Sequence, residues 1–290
     1  MGANWAGINT VQRNVYAKCQ YTSHDIILVQ KGIKMKIATW NVNEFVGITT
    51  DLDNQETTET VDKANIEEMI NILNENDFDI VCFQEYPAYV DGVETISRQI
   101  AERTHLKHYC THSTYDSYLF SGGRVGVAIF SKYKIFDKEL TLFGNPDMTK
   151  TSSSGIVYHS FDKGIIKVEV EIQGKKYTVI TGHAMAFAPF GKTEFDYPES
   201  YKPIEEIIKK YSDSNLVVAG DFNTEKLFDL MPDIRGIVKN IINEPTTKDY
   251  YEKRGAIQMD YILINKNLRS KQAFKIDNFS DHYAICAEIN

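Results

Sequence analysis

The feature that most constrains this chain is a set of apolar runs that break off at an acid, an amide or an imidazole. MKIATWN (35–41) ends at Asn41, with Asn43 and Glu44 just beyond; DIVCFQE (79–85) ends at Gln84-Glu85, and KYTVITGH (176–183) at Gly182-His183. NLVVAGDFN ends at Gly220-Asp221-Phe222-Asn223, MDYILIN opens with Asp260, and HYAICAEI is entered through Ser280-Asp281-His282. Any one polar strand end is ordinarily a cap or a solvated turn. Together they imply one sheet edge crowded with Glu85, Asp221, Asp260 and Asp281, whose strands serve as rigid mounts. Carboxylates gathered in that way repel unless a cation neutralises them. Oxygen donors without thiolates suit a hard ion, Mg²⁺ or Mn²⁺. Histidines and amides beside such an ion are the groups needed to activate water and stabilise a phosphorane-like transition state.

The rest of the chain reads as mixed strands and helices without strict alternation, which predicts packed sheets flanked by helices rather than a purely parallel sheet. Helices are expected from Asp62, as cap, to Asn76, with Ile66, Met69, Ile70 and Leu73 at helical spacing, and over Pro198–Tyr211. GVAIFS (126–131) and GIIKVEVEI (164–172) read as further strands, the latter joined to KYTVITGH by a hairpin turn at Gln173-Gly174-Lys175. Residues 1–34 show no amphipathic pattern. They are expected to be an extension, mobile or non-native, with the folded body starting at Met35.

Net charge is −8; residues 1–34 carry a balance of +3, which leaves −11 on the body. Such a body does not hold polyanions by bulk charge, so a phosphate ester must be attracted locally. No apolar stretch approaches the roughly 18 residues of a membrane span, and the first residues lack a secretory pattern. Cys19, Cys82, Cys110 and Cys286 follow no metal-ligand spacing and read as small buried thiols. A cytoplasmic monomer without stable membrane association is therefore expected. Gly191-Lys192-Thr193 lacks the earlier glycine of a phosphate-binding loop, Ala186 standing there, and reads as a plain loop.

Trp40-Asn41, Gln84-Glu85, Gly220-Asp221-Phe222-Asn223, Met259-Asp260-Tyr261-Ile262-Leu263 and Ser280-Asp281-His282, in that order, resemble the motifs of the endonuclease/exonuclease/phosphatase superfamily. That superfamily includes exonuclease III-like abasic endonucleases, pancreatic-type deoxyribonucleases, neutral sphingomyelinases and inositol polyphosphate 5-phosphatases. The resemblance spans residues 35 to 289 and implies a four-layered α/β sandwich, two packed mixed β-sheets flanked by helices. It implies Glu85 as principal metal ligand, with Asn41 on metal or phosphate and Asp281 on the metal or its waters. Asp221 would orient or deprotonate the attacking water, and Asn223 would hold a phosphate oxygen. His282 would stabilise developing charge, oriented by Asp260, as triad logic also suggests. His183 would be the general acid toward the leaving oxygen, and stands where abasic endonucleases carry a tyrosine. Asn43 replaces the Asp of many relatives, which removes one charge from the metal side. The inositol phosphatase signature Trp-Cys-Asp-Arg is replaced by Ile257-Gln258-Met259-Asp260. The expectation is a divalent-metal-dependent phosphodiesterase acting on nucleic acid, a nuclease with weak sequence preference. The alternatives are a sphingomyelinase-like phospholipase or a catalytically inactive binding module.

Overall fold

The apolar runs are continuous rather than alternating because both faces of their strands are buried. The computed structural model describes residues 34–46, 63–89, 95–117, 123–151, 155, 157–249 and 255–290; the expected extension before Lys34 and the Asp62 cap lie outside them. In chain order the elements are β1 (Met35–Asn41), α1 (Lys63–Asn76), β2 (Ile80–Tyr89), α2 (Thr95–Arg103), β3 (His108–Asp116), β4 (Arg124–Ser131) and β5 (Ile135–Phe143). Then follow β6 (Thr149–Thr151), β7 (Val157–His159), β8 (Lys163–Ile172), β9 (Lys175–Gly182), α3 (Lys202–Lys210), β10 (Leu216–Asp221) and α4 (Leu227–Leu230). The last are β11 (Val238–Asn240), β12 (Asp260–Asn265), β13 (Ser270–Ile276) and β14 (Ala284–Ile289). One six-stranded sheet has the order β13-β14-β1-β2-β4-β3, a second the order β11-β12-β10-β9-β8-β5, and β6 pairs with β7 in a small ribbon. Both large sheets are mixed, with β1–β2 and β9–β10 parallel inside antiparallel surroundings.

Period-two alternation assigns side chains to three cores. Ile37, Cys82, Val217, Ala219, Ile262, Ile264 and Ile285 face the space between the sheets. Ala38, Trp40, Val81 and Phe83 face outward under Ile66, Met69 and Ile70 of α1 and Ile96 and Ile100 of α2. Val218, Leu216 and Leu263 pack under Ile204, Ile207 and Ile208 of α3. This is the four-layered sandwich the sequence implied. The Pro198–Tyr211 helix divides into a 3-10 turn at Pro198–Tyr201 followed by α3. The β8–β9 turn has positive φ at Gln173 (51°) and Gly174 (79°), the backbone that a two-residue hairpin of matching twist requires. Cys82, Cys110 and Cys286 are buried free thiols. Among the described residues no helix is long and apolar enough to cross a membrane.

Along the strands the inner face changes from apolar to polar toward one edge. Met35 and Ile37 of β1 are followed by Thr39 and Asn41; Cys82 of β2 is followed by Gln84; Val217 and Ala219 of β10 are followed by Asp221. The C-terminal ends of β1, β2, β9 and β10 and the N-terminal ends of antiparallel β12 and β14 share this edge. The sheets are tied together there by Gln84, which donates to Thr181 Oγ1 at 2.9 Å. A Cβ on Gly220 would lie 2.3 Å from the carbonyl oxygen of Gly182, so β9 and β10 approach closely just before Asp221. Gly220→Ala is expected to cost about 1–3 kcal/mol through this backbone clash and to displace Asp221. A lowered melting temperature together with reduced turnover would show both; an unchanged protein would mean the strands separate freely.

Candidate active site

Asn41 sits between the two sheets. Its Nδ2 donates to Asp221 Oδ2 at 2.9 Å and to Glu85 Oε1 at 3.2 Å, while its Oδ1 accepts the Asn43 N–H at 3.0 Å. Glu85 reaches this point through a bulge: pairing of β2 with β4 shifts register between Gln84 and Tyr86, and Glu85 has φ +48°. Burial raises the Glu85 pKa and Asp281 adds to the rise, while Lys163 and the Asn41 amide oppose it. The segment Asn43–Phe45 has three successive positive φ angles, 42°, 50° and 61°, conformations costly for residues other than glycine. It turns the Glu44 side chain inward, where it accepts a hydrogen bond from the Ser117 hydroxyl. Burial pushes the Glu44 carboxyl up to about 8, opposed by that bond and helped by Glu85.

Asp221 and Asp260 are directly opposite one another in the β10–β12 ladder, an arrangement that like charges disfavour. Burial, reinforced by Asp260, pushes the Asp221 carboxyl up to about 7; His282, Asn41 and the Asn223 N–H bond hold it from rising further. That N–H donates to Asp221 Oδ1 at 2.8 Å, with Asn223 at φ +49°. Asp260 receives His282 Nδ1 at 2.8 Å, and its own N–H donates to Thr246 Oγ1 at 3.0 Å. His282 Nε2 then faces Asp221 Oδ2 at 3.9 Å. Although burial opposes a charge on His282, the nearby Asp260, Asp281 and Asp221 raise its pKa well above the ordinary value.

The loop that carries His282 is built by Asn278 and Ser280. Asn278 accepts from Trp40 Nε1 (3.2 Å) and Ser280 N–H (2.7 Å) and donates to His282 O (3.0 Å), while Ser280 Oγ donates to Asn41 O (2.8 Å). Trp40 packs on Phe279 at 5.3 Å between ring centroids. These contacts explain why Trp40 belongs to the motif: it braces the histidine loop. Ser280 Oγ also contacts Asp281 Oδ1 at 3.2 Å, and Asp281 is half-buried at the rim.

His183 approaches from the other side. Its Nε2 lies 3.0 Å from Asn223 Nδ2 and 3.7 Å from both Glu85 Oε1 and Asp221 Oδ2. Its Nδ1 lies 3.1 Å from Lys163 Nζ. Burial, then Lys163 and His282, depress the His183 pKa well below the ordinary value, so the ring is neutral. Lys163 is buried over the faces of Tyr115 and Phe161, and burial pushes its ammonium down to about 8 against the pull of Glu85, Asp221 and Glu44.

All eight residues predicted from the sequence, Asn41, Glu85, His183, Asp221, Asn223, Asp260, Asp281 and His282, therefore meet at one edge. Lys163 and Glu44 were not foreseen. The signal for Lys163 was present, since β8 runs antiparallel to β9 and its polar first residue must lie at the same edge as Gly182-His183. Glu44 stands just beyond the β1 strand end in the sequence, but only the turn at Asn43–Phe45 buries it. A separate cleft of about 630 Å³, lined in part by Lys226, Arg235, Lys239 and Tyr261, includes none of the ten residues, and the chemistry is not assigned to it.

Asp221, Asp260 and His282 offer ligand atoms within 4.8 Å of one another. In that set Asp260 and His282 are already committed to each other, and the Oδ1 atom of Asp260 is buried with no partner among the described residues. Glu85, Asn41 and Asp281 form the complementary oxygen-donor set at the rim. Glu44, Glu85 and Asp221 are carboxyls whose pKa burial raises, beside only Lys163 and His282 as cations, and this oxygen-donor set fits a hard divalent cation, which would favour their ionised forms.

The Endonuclease/Exonuclease/phosphatase family profile matches residues 38–165. Sphingomyelinase C 2 of Leptospira interrogans is 26% identical over 241 residues, covering 70% of this chain and 36% of that protein. The chain thus spans about a third or less of the length of the curated relatives it matches. An endonuclease/exonuclease/phosphatase from Beutenbergia cavernae has the same fold, with TM-score 0.65 and 14% identity over 89% of this chain and 72% of that one. ANGEL2, a 2′,3′-cyclic phosphatase, superposes with TM-score 0.60 and 15% identity over 89% of this chain and 95% of that one. Residues 38–165 thus match the endonuclease/exonuclease/phosphatase family, and the described body has the fold of the solved structures of that kind.

Proposed function

We propose that the protein is a divalent-metal-dependent phosphodiester hydrolase that uses Mg²⁺ or Mn²⁺. The observation that carries this reading is the Asp260–His282 pair aimed at Asp221, with Glu85 and Asn41 on one side of it and His183 and Asn223 on the other. Glu85, Asn41 and Asp281 would hold the ion or its waters. The bound ion would polarise a phosphoryl oxygen and neutralise charge as it develops. Asp221, whose carboxyl burial and Asp260 raise well above the ordinary carboxylate range, is suited to orient water and accept its proton. Asp260 accepts from His282 Nδ1 and favours the protonated ring, whose Nε2–H can donate to a phosphoryl oxygen. Asn223 holds a second oxygen. A binding module with no chemistry has no need of this complete set.

For substrate we propose nucleic acid, cleaved with weak sequence preference and without demand for an abasic site, since among the described residues no inserted helix or ribbon offers base-edge readout. Sphingomyelin is the second reading, favoured by the Leptospira sphingomyelinase similarity. Plain DNA, abasic DNA, RNA and sphingomyelin vesicles compared with Mg²⁺ or Mn²⁺ separate the two. Turnover of sphingomyelin alone would displace the nuclease reading, and no turnover with either ion would leave the binding module. If a nucleic acid is cleaved, the −11 body predicts a weak dependence of binding on salt, with a log–log slope shallower than roughly −3. A slope near roughly −6 would mean a basic track that this charge balance does not provide.

A further inference from the structure

The separate cleft of about 630 Å³ opens on the α3 face of the second sheet, beside the edge that carries the acids and histidines. Strand alternation puts it there: Asp260 opens β12 facing the site, and the next residue, Tyr261, lines the cleft. Tyr261 Oη donates to Thr224 O at 2.8 Å and so fixes the loop that follows Asn223. From Asn223 in the site to Lys226 in the cleft is three residues, a reach of at most roughly 11 Å. Lys226, Arg235 and Lys239 line the cleft against the carboxylates of Glu225 and Asp229. Arg235 is held in place, its Nε donating to Phe228 O at 3.0 Å and its Nη2 to Asp229. Lys226 and Lys239 are exposed, and among the described residues neither ammonium has a partner. Phe228, half-buried, adds an aromatic ring to the same lining.

We propose that this cleft binds one nucleotide of a single-stranded nucleic acid, close along the strand to the phosphate being cleaved. Lys226 and Lys239 take its phosphate, and the Phe228 ring takes its base. The inference rests on the nucleic-acid reading above. Free cations beside an aromatic ring are the pairing that grips a single strand, because charge follows the backbone and any base can stack. The placement matters as much as the chemistry. On a body that carries −11, a polyanion gains attraction only where cations stand uncommitted, and two of them stand one short loop from Asn223. A base in a duplex must leave its stack before it can reach Phe228, which costs free energy, so single strands are preferred. Two phosphate-facing lysines also agree with the shallow salt dependence expected of this charge balance.

The test compares a single-stranded oligonucleotide, its duplex and bis(4-nitrophenyl) phosphate, which carries no second phosphate. The double variant Lys226→Gln, Lys239→Gln is expected to raise KM for the single strand on the order of 10-fold with kcat unchanged. Its rate on bis(4-nitrophenyl) phosphate should equal that of the wild type, which also reports that it is folded. The log–log salt slope for the single strand should become shallower by roughly 1.4, at about 0.7 for each lost contact. Calorimetry in a chelator, where no ion draws phosphate to the acids, reads the cleft without turnover. There the wild type should bind AMP more tightly than ribose 5-phosphate; Phe228→Leu should remove the difference, and the lysine variant should weaken both. Unchanged KM, slope and AMP affinity in the lysine variant would overturn the cleft and leave the nuclease reading standing. Equal KM for duplex and single strand, or AMP bound no better than ribose 5-phosphate, would also overturn it. A wild type that cleaves no nucleic acid yet binds AMP through these lysines would refute the nuclease reading and support the cleft as a nucleotide site.

Discussion

Glu85→Gln is expected to change stability in opposite directions with and without metal. The variant keeps the shape of the side chain and its contact with Asn41 but removes one charge from a buried group of Glu44, Glu85 and Asp221. Burial already raises the pKa of all three, so their charges are destabilising when no cation is bound. In a chelator the variant should therefore melt at or above the wild-type temperature. With saturating Mg²⁺ the wild type should gain stability by mass action, and the variant should gain little. Turnover should fall on the order of 10³-fold, because a Lewis-acid contribution of several kcal/mol corresponds to a factor of ten for each 1.36 kcal/mol. Melting curves of both proteins over a Mg²⁺ titration, alongside rates at limiting metal, test these statements together. A variant stabilised by Mg²⁺ as strongly as the wild type would remove Glu85 from the metal site.

His282→Ala is expected to lower the rate by on the order of 10²- to 10⁴-fold with the fold intact. Asp260→Asn should act through the same imidazole, so the double variant should be barely slower than His282→Ala alone. The reason is geometric: the only described side-chain partner of Asp260 is His282 Nδ1, at 2.8 Å, and its Oδ1 has none. The pH profile gives an independent check. The His282 pKa lies well above the ordinary value because Asp260 and its neighbours outweigh the burial that opposes the charge. A reaction that needs the protonated ring is then supported below that raised pKa and lost as pH climbs through it. Asp260→Asn removes the main attraction and leaves the burial, so the alkaline limb should move to lower pH. Multiplying losses in the double variant, or an unmoved limb, would separate Asp260 from His282.

The site was legible because the motifs sit on strands whose inner faces change from apolar to polar at one edge. Asp221 and Asp260 illustrate the limit of that reading. Both were identified as strand-end acids, yet only the β10–β12 register puts them directly opposite each other and so raises Asp221 toward neutrality. The edge strands β3, β5 and β13 are not legible in the sequence because they are only partly buried, and exposed positions interrupt the apolar pattern from which strands are recognised. Asn278-Phe279-Ser280 has the form of a glycosylation sequon. The structure instead uses Asn278, 8% exposed, as the brace of the His282 loop.

What the sequence by itself determined was the inventory: which strands are buried on both faces, and which acids, amides and histidines stand at their ends. Local chemistry suffices for that, since alternation, turn residues and composition are properties of neighbouring positions. Charge state was decided only in three dimensions. Lys163, Glu44 and His183 are ordinary residues along the chain. Their ionisation depends on burial and on partners brought in from other strands, and that arrangement exists only once the two sheets have packed.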